Sequence, residues 1–259
     1  MTLSDDAVEE HASTIYDAFT QKHRIDPLTE ETELPVPDAY AIQERVIADL
    51  LGDDGDILGY KLGLVSEAKQ EQLGIDEPIF CAVPADFQID GTIPASELMA
   101  PRVEAEIGLI LAEDLEPPVS PADVLSKTSH VVPVIEVLES RFKAWQIPTA
   151  QDVIADITSG CKLIVGECVR APTDVDIAME GVTVSLNGEL VETGLGADIM
   201  GHPARGVSWL ADRLQDREET MQAGDLILTG GITAAVDIEP EDLVTIQFGS
   251  LGTVELLAE

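Results

Sequence analysis

From Val103 to Leu111 the chain alternates in polarity. Val103, Ala105, Ile107, Leu109 and Leu111 share one face of an extended segment, while Glu104 and Glu106 project together from the other. A period of two is met by a β-strand and not by a helix, so this segment must be built into a sheet. It also sets a problem. Two carboxylates side by side among apolar residues repel each other and resist dehydration. Such a pair persists where it shares a proton, meets a cation or faces water. A solvated strand face is the plainer reading in an acidic chain, and a cation site is the other.

A second acid raises the same question. Val131–Leu138 is apolar on both faces apart from Glu136, where an unpaired carboxylate is costly. An ion pair with Arg102 or Arg141 accounts for it. So does a site in which Glu104, Glu106 and Glu136 offer oxygens to a hard divalent cation, for which Mg²⁺ or Mn²⁺ is suited. His11, His23, His130 and His202 are scattered and build no softer metal site. Lys61, in the apolar segment Ile57–Gly63, is either a lysine of an edge strand or a group that neutralises a substrate carboxylate or moves a proton. Asp76, in Gly74-Ile-Asp-Glu-Pro78, reads on spacing alone as a turn former. Gly224–Gly231 lacks the residues of a nucleotide loop, although its amides suit an anionic substrate. Neither Ser66 nor Ser159 sits in a nucleophile elbow.

The rest of the chain is short strands with few helices. Ser4 caps a helix with Val8, Ala12, Ile15 and Phe19 at helical spacing, and a second helix runs from about Asp38 to Gly52. Between them 25–37 reads as a proline-containing linker. Further helices are expected after the caps Ser66 and Ser120 and over His202–Arg217. Strands are expected at Ile57–Gly63, Val131–Leu138, Cys161–Gly166, Asp225–Gly230, Leu243–Phe248 and Gly252–Leu257, with a hairpin centred on Asn187-Gly188. The pattern is α+β, mainly antiparallel, with a small helical N-terminal unit at 1–55 and a β-rich unit at 56–259.

Charge narrows the partners. Fifty acidic residues against 14 basic ones leave a net charge of −36 over 259 residues. No basic patch remains to offset phosphates, which argues against nucleic acid and anionic membrane. The acids are spread along the chain, and self-repulsion of that kind is relieved by screening. The chain therefore reads as salt-adapted and halophile-like. Loss of structure in low-salt buffer, followed by circular dichroism, is expected; full stability without added salt would overturn this. No apolar run reaches the roughly 20 residues of a bilayer span, and the acidic start lacks a signal-peptide stretch, so a cytoplasmic protein is expected. Cys81, Cys161 and Cys168 are too scattered for a disulfide framework or zinc knot and read as buried thiols.

Several segments together carry a resemblance. Gly59-Tyr-Lys-Leu-Gly63, Ile75-Asp-Glu-Pro78, Pro101-Arg-Val-Glu-Ala-Glu-Ile107, Val134-Ile-Glu-Val-Leu-Glu-Ser-Arg141, Gly201-His-Pro203 with Trp209-Leu-Ala211, and Gly224-Asp-Leu-Ile-Leu-Thr-Gly230 stand in a specific order. In that order they resemble the fumarylacetoacetate hydrolase superfamily, in its branch of 2-oxopent-4-enoate hydratases and 4-oxalocrotonate decarboxylases. The resemblance implies a mixed β-sandwich rolled into a barrel-like core under a helical N-terminal cap, in a homo-oligomer. It implies Mg²⁺ or Mn²⁺ held by Glu104, Glu106 and Glu136, an active-site lysine at Lys61, a proton-handling acid at Asp76, and a substrate-pocket serine at Ser159. Asp156-Ile-Thr-Ser-Gly-Cys161 departs from the Asp-Asn-Ala-Ser-Cys-Gly usual in the branch, and Thr229-Gly-Gly-Ile-Thr-Ala234 departs from the usual ending of its loop. The leading expectation is hydration of a 2-hydroxypenta-2,4-dienoate to a 4-hydroxy-2-oxo acid in aromatic meta-cleavage. Decarboxylation of 2-oxohex-3-enedioate is the alternative, and the acid at Glu139 is a decarboxylase feature of the branch. Acylpyruvate hydrolysis lacks an identifiable water-activating residue. A 2-oxo acid binding protein without turnover is the non-enzyme alternative.

Overall fold

The computed structural model describes residues 2–145 and 147–259. Ser4 accepts the Ala7 amide and opens helix α1 (Asp5–Gln21), whose buried stripe is Val8, Ala12, Ile15 and Ala18. Helix α2 (Val36–Leu51) starts two residues earlier than expected. Pro35 and Pro37 do not oppose this, because the first helical turn needs no amide from them. The segment between the helices is no free linker. It makes a 3₁₀ turn at Leu28–Glu30, and the Ile25 amide donates to Arg141 O at 2.9 Å.

The elements then follow as β1 (Ile57–Gly63), α3 (Glu67–Leu73), β2 (Ile79–Pro84), β3 (Thr92–Ile93), β4 (Arg102–Leu111), α4 (Pro121–Ser126) and β5 (Thr128–Leu138). After these come α5 (Ala150–Ala155), β6 (Gly160–Val165), β7 (Gly181–Leu186), β8 (Glu189–Leu195) and α6 (Pro203–Gln215). The last strands are β9 (Leu226–Leu228), β10 (Val236–Asp237), β11 (Leu243–Phe248) and β12 (Gly252–Ala258). Ser66 and Ser120 cap their helices as expected. Asn187 and Gly188, at φ 52° and 85°, make the left-handed turn that a two-residue hairpin requires.

Seven strands form one sheet in the order β2-β1-β9-β4-β5-β6, with β10 beside β4, and five form a second in the order β3-β12-β11-β7-β8. The sheets are mixed: β1–β9 and β12–β3 are parallel. The chain enters β9 after crossing over from the second sheet through α6, the kind of long connection that parallel pairing needs. Strand β12 packs across β5 and β6, which buries β5 completely from Val131 to Leu138. Helix α1 packs on α2, and α2 on α5 and β2, within one continuous apolar core. Cys81 and Cys161 are buried, and burial pushes both thiols up to about 12; Cys168 is only half-buried. Among the described residues no helix is long and apolar enough to cross a membrane.

Candidate metal centre

Strand register assembles the three acids. Glu104 on β4 lies directly opposite Glu136 on β5, and Glu106 follows two residues along on the same face. One oxygen from each lies within 4.8 Å of the others. All three residues are buried, Glu106 completely, so the solvated-face reading of Glu104 and Glu106 falls.

Lys61 joins them from β1. Strand β9, which separates β1 from β4, gives out at Leu228 opposite Lys61. The lysine pairs with Glu136, and its Nζ donates to Thr158 O at 2.9 Å. The expected partners of Glu136 are engaged elsewhere. Arg102 pairs with Asp237 at 2.6 Å and lies over the Trp145 ring, while Arg141 pairs with Asp156. Lys69 of α3, which sequence reasoning passed over, reaches Glu104 at 3.1 Å.

Among the described residues Glu106 has no such cation partner. Its Oε2 accepts the Gly230 amide at 3.0 Å, and its Oε1 is buried without a partner among the described residues. Burial, then the like charge of Glu136, hold its carboxyl well above the usual range, with Lys61 offsetting only part. Burial also raises Glu136 against the pull of Lys61. Burial alone would lower Lys61, but Glu136 and Glu106 outweigh it and keep the ammonium charged. An orphaned buried oxygen beside two further carboxylates fits a hard divalent cation, which takes oxygen ligands and keeps positions open for substrate.

The loop after β9 is shaped around these acids. Thr229 and Ile232 donate to Ile107 O and Ala105 O on β4, so the two glycines between them pass directly over Glu106 and Glu104. A Cβ on Gly231 would stand 2.1 Å from Glu104 Oε2. Gly231→Ala must therefore displace that carboxylate. We expect Mg²⁺ affinity to fall about 10- to 100-fold, the cost of disturbing a ligand's support, with the far-ultraviolet circular dichroism retained. Unchanged affinity by titration calorimetry would refute the cradle.

A cleft of about 400 Å³ opens on the centre. Lys61, Glu104 and Glu136 line it, with Ser159 and Thr158 on one side and Leu138, Ile147 and Val153 as apolar wall. Arg102 and Lys69 line it as well. Ser159 belongs to a three-residue turn, Ile157-Thr158-Ser159, with φ of 45°, 53° and 53°. Left-handed backbone is costly for residues with a Cβ, most of all for β-branched ones, so the turn is held from outside. Arg141, completely buried, pairs with Asp156 and donates to Asp156 O and to Gly160 O (3.1 Å), bracketing the turn. The two N–H groups of the Gln43 side chain on α2 are shared among three acceptors, Ile154 O (2.8 Å), Phe80 O (3.1 Å) and Thr158 Oγ1 (3.4 Å).

Two expected residues lie elsewhere. Asp76 sits on an exposed bend between α3 and β2, outside the cleft lining. Glu139 is fully buried but faces the helical cap: it pairs with Lys22 at 2.9 Å and accepts the Met99 amide at 2.6 Å. Its contacts are structural, and it is not among the residues that line the cleft. The buried polar residues Gln43, Arg141 and Asp156 are not assigned to the site from the sequence, although Arg141 and Asp156 lie in segments compared with the family.

The chain is similar to known proteins in sequence and fold. A family model described as fumarylacetoacetate (FAA) hydrolase C-terminal matches residues 62–256. The chain is 36% identical over 257 residues to the 4-oxalocrotonate decarboxylase of Pseudomonas putida, covering 98% of this chain and 97% of that protein. It is also 36% identical over 251 residues to the 2-keto-4-pentenoate hydratase of Paraburkholderia xenovorans, covering 95% and 93%. The solved structure of 4-oxalocrotonate decarboxylase from Pseudomonas putida G7, complexed with magnesium and adipate, superimposes with a TM-score of 0.96 at 34% identity, covering 100% of this chain and 99% of that one.

Proposed function

The chain belongs to the fumarylacetoacetate hydrolase family, and from that premise we propose that it is a metal-dependent lyase acting on a 2-oxo or 2-hydroxydienoic acid of aromatic meta-cleavage. The observation that carries this is the buried cluster of Glu104, Glu106 and Glu136 with one carboxylate oxygen unpartnered. The three acids would hold Mg²⁺ or Mn²⁺, as a magnesium complex of the related decarboxylase supports. When bound, the ion supplies a hard positive charge that stabilises the enolate developing at the substrate's 2-oxygen.

The chain's own groups do the rest. Lys61 stays protonated at neutral pH, because Glu136 and Glu106 outweigh its burial. It therefore serves as a fixed hydrogen-bond donor and positive charge for the substrate carboxylate, and gives up a proton only when a better base takes it. Ser159 lines the same side of the cleft as Thr158 and offers a hydroxyl to the substrate. Leu138, Ile147 and Val153 line the cleft as apolar wall, against which the substrate's carbon chain would lie with water excluded. Asp76 would relay protons only if the bend between α3 and β2 closes toward the cleft.

Hydration of a 2-hydroxypenta-2,4-dienoate is the first reading. Decarboxylation of 2-oxohex-3-enedioate uses the same electron sink. It is favoured by one observation: Arg102 and Lys69 stand in the cleft wall, where a second carboxylate has cations to meet. The deciding experiment offers both substrates with Mg²⁺ and measures 4-hydroxy-2-oxo acid and carbon dioxide separately. Turnover of at least one substrate, abolished by EDTA and restored by Mg²⁺, is expected. Turnover that survives EDTA sinks the metal assignment, and tight 2-oxo acid binding with no product sinks the enzyme reading.

A further inference from the structure

We infer that Gln43, on helix α2 of the N-terminal cap, is a positioning residue for Lys61, acting through the left-handed turn at 157–159. Gln43 is 3% exposed, and its side-chain amide reaches from the cap to the backbone behind the cleft. It ties together three elements at one side chain. These are the start of β2 at Phe80 O, the end of α5 at Ile154 O, and the turn at Thr158 Oγ1. Thr158 Oγ1 in turn bonds Phe80 O at 3.4 Å, so side chain and turn are pinned to the same carbonyl.

The turn needs this pinning. Three consecutive non-glycine residues at positive φ, two of them β-branched, relax toward ordinary backbone unless their surroundings over-determine them. Arg141 grips the turn at its two ends, at Asp156 and Gly160, but makes no bond to Thr158 among the described residues. Gln43 holds the middle. What the middle supplies is the Thr158 carbonyl, which receives Lys61 Nζ at 2.9 Å and aims the ammonium along the cleft floor toward Glu136. If Thr158 rotates out of the left-handed region, its carbonyl swings away and Lys61 keeps only the carboxylate. The helical cap thus reaches the chemistry by setting a backbone carbonyl, without a cap side chain entering the cleft.

The assignment of Lys61 to catalysis rests on the lyase reading, so the test has one readout that needs no turnover. Gln43→Met keeps the length and removes the donors. In the metal-free protein, amide hydrogen exchange at 157–160 should rise selectively, while exchange in β4 and β5 stays as in the wild type. In the Mg²⁺-loaded enzyme, kcat should fall about 10- to 100-fold, the scale that small misplacement of a reacting group carries, with KM raised because Lys61 also meets the substrate carboxylate, and with Mg²⁺ affinity unchanged. Gln43→Asn, which keeps the amide one methylene short, should fall between. Adding Thr158→Gly to Gln43→Met should recover most of the lost kcat, because glycine holds positive φ without support. Unaltered exchange at 157–160, a kcat loss that follows thermal stability across the variants, or no recovery in the double variant would overturn the role. If wild-type enzyme turns over neither substrate, the lyase reading fails while the exchange result still decides whether Gln43 holds the turn.

Discussion

Glu106→Gln is expected to cost about a thousandfold or more in kcat/KM and, at the same time, to stabilise the metal-free protein. The two effects have one origin. Glu106 is fully buried, its Oε1 is unpartnered, and burial with the charges of Glu136 and Glu104 holds its carboxyl well above the usual range. In the metal-free fold the acid keeps a proton that the unfolded chain would release near pH 4.3. The folded state therefore binds that proton more tightly than the unfolded one, and metal-free stability falls as pH rises from the ordinary carboxylate range through the raised value. A metal ion needs the deprotonated ligand, so over the same window its affinity grows and its binding releases a proton. Glutamine removes the charge and its burial cost, which flattens the pH dependence. It also removes an anionic ligand, and with it an electrostatic contribution worth several kcal/mol in the transition state, where each 1.4 kcal/mol is about tenfold. Thermal unfolding at pH 6 and pH 8, with and without Mg²⁺, gives the signs directly. Wild type should gain more from Mg²⁺ at pH 8, and the variant should gain little at either. A variant that keeps Mg²⁺-dependent turnover, or a wild type whose stability ignores Mg²⁺ at both pH values, would refute this account.

How much of this was legible in the chain depends on the range over which each feature is determined. The β4 alternation puts Glu104 and Glu106 on one face by local geometry alone, and the isolation of Glu136 among valines marks it as odd. That Glu136 stands opposite Glu104 is a matter of register, which a single strand does not carry. The pairing of Glu136 with Lys61, not Arg102 or Arg141, follows from β9 sliding between β1 and β4 after a long excursion through the second sheet and α6. No local pattern announces such a crossover. The turn at 157–159 is harder still, because Ile157 and Thr158 are poor residues for positive φ and local preference argues against what is observed. There the tertiary bonds of Arg141 and Gln43 override propensity. Lys69 and Glu139 show the converse: Lys69 draws no notice in the sequence and Glu139 is noted only through the resemblance, and only the packing tells which faces the cleft and which the cap.

Arg141→Met is expected to destabilise the fold by about 3–5 kcal/mol, the usual penalty for removing one member of a buried pair. Against a typical total of roughly 5–15 kcal/mol, that threatens folding itself. Arg141 and Asp156 are both 0% exposed. The guanidinium also satisfies Asp156 O and Gly160 O, and it lies 5.3 Å from the centroid of the Phe19 ring on α1. Methionine replaces the apolar stem but leaves the buried Asp156 carboxylate without its cation, with only the Ser140 hydroxyl and the backbone amide of residue 141 as donors, and takes one donor each from Asp156 O and Gly160 O. Burial already lifts Asp156 to about 6 even with Arg141 beside it. Without the guanidinium its value must climb further, so near neutral pH the orphaned acid takes up a proton. The sign of the pH dependence follows. In the variant the folded state holds that proton more tightly than the unfolded chain does, so acidification relieves part of the damage and the deficit widens as pH rises. Adding Asp156→Asn removes the orphaned charge outright and should recover stability relative to Arg141→Met alone, most at pH 8 and least at pH 5. Denaturant unfolding of the two single variants and the double, at both pH values, closes the cycle. A deficit under about 1 kcal/mol, within the range of a surface ion pair, or a double variant no better than Arg141→Met, would mean that the pair does not hold this end of the turn. Stability and chemistry meet here, because Asp156 and Gly160 flank the residues that present Thr158 O to Lys61. Any Arg141→Met enzyme that does fold should therefore lose activity beyond its folded fraction.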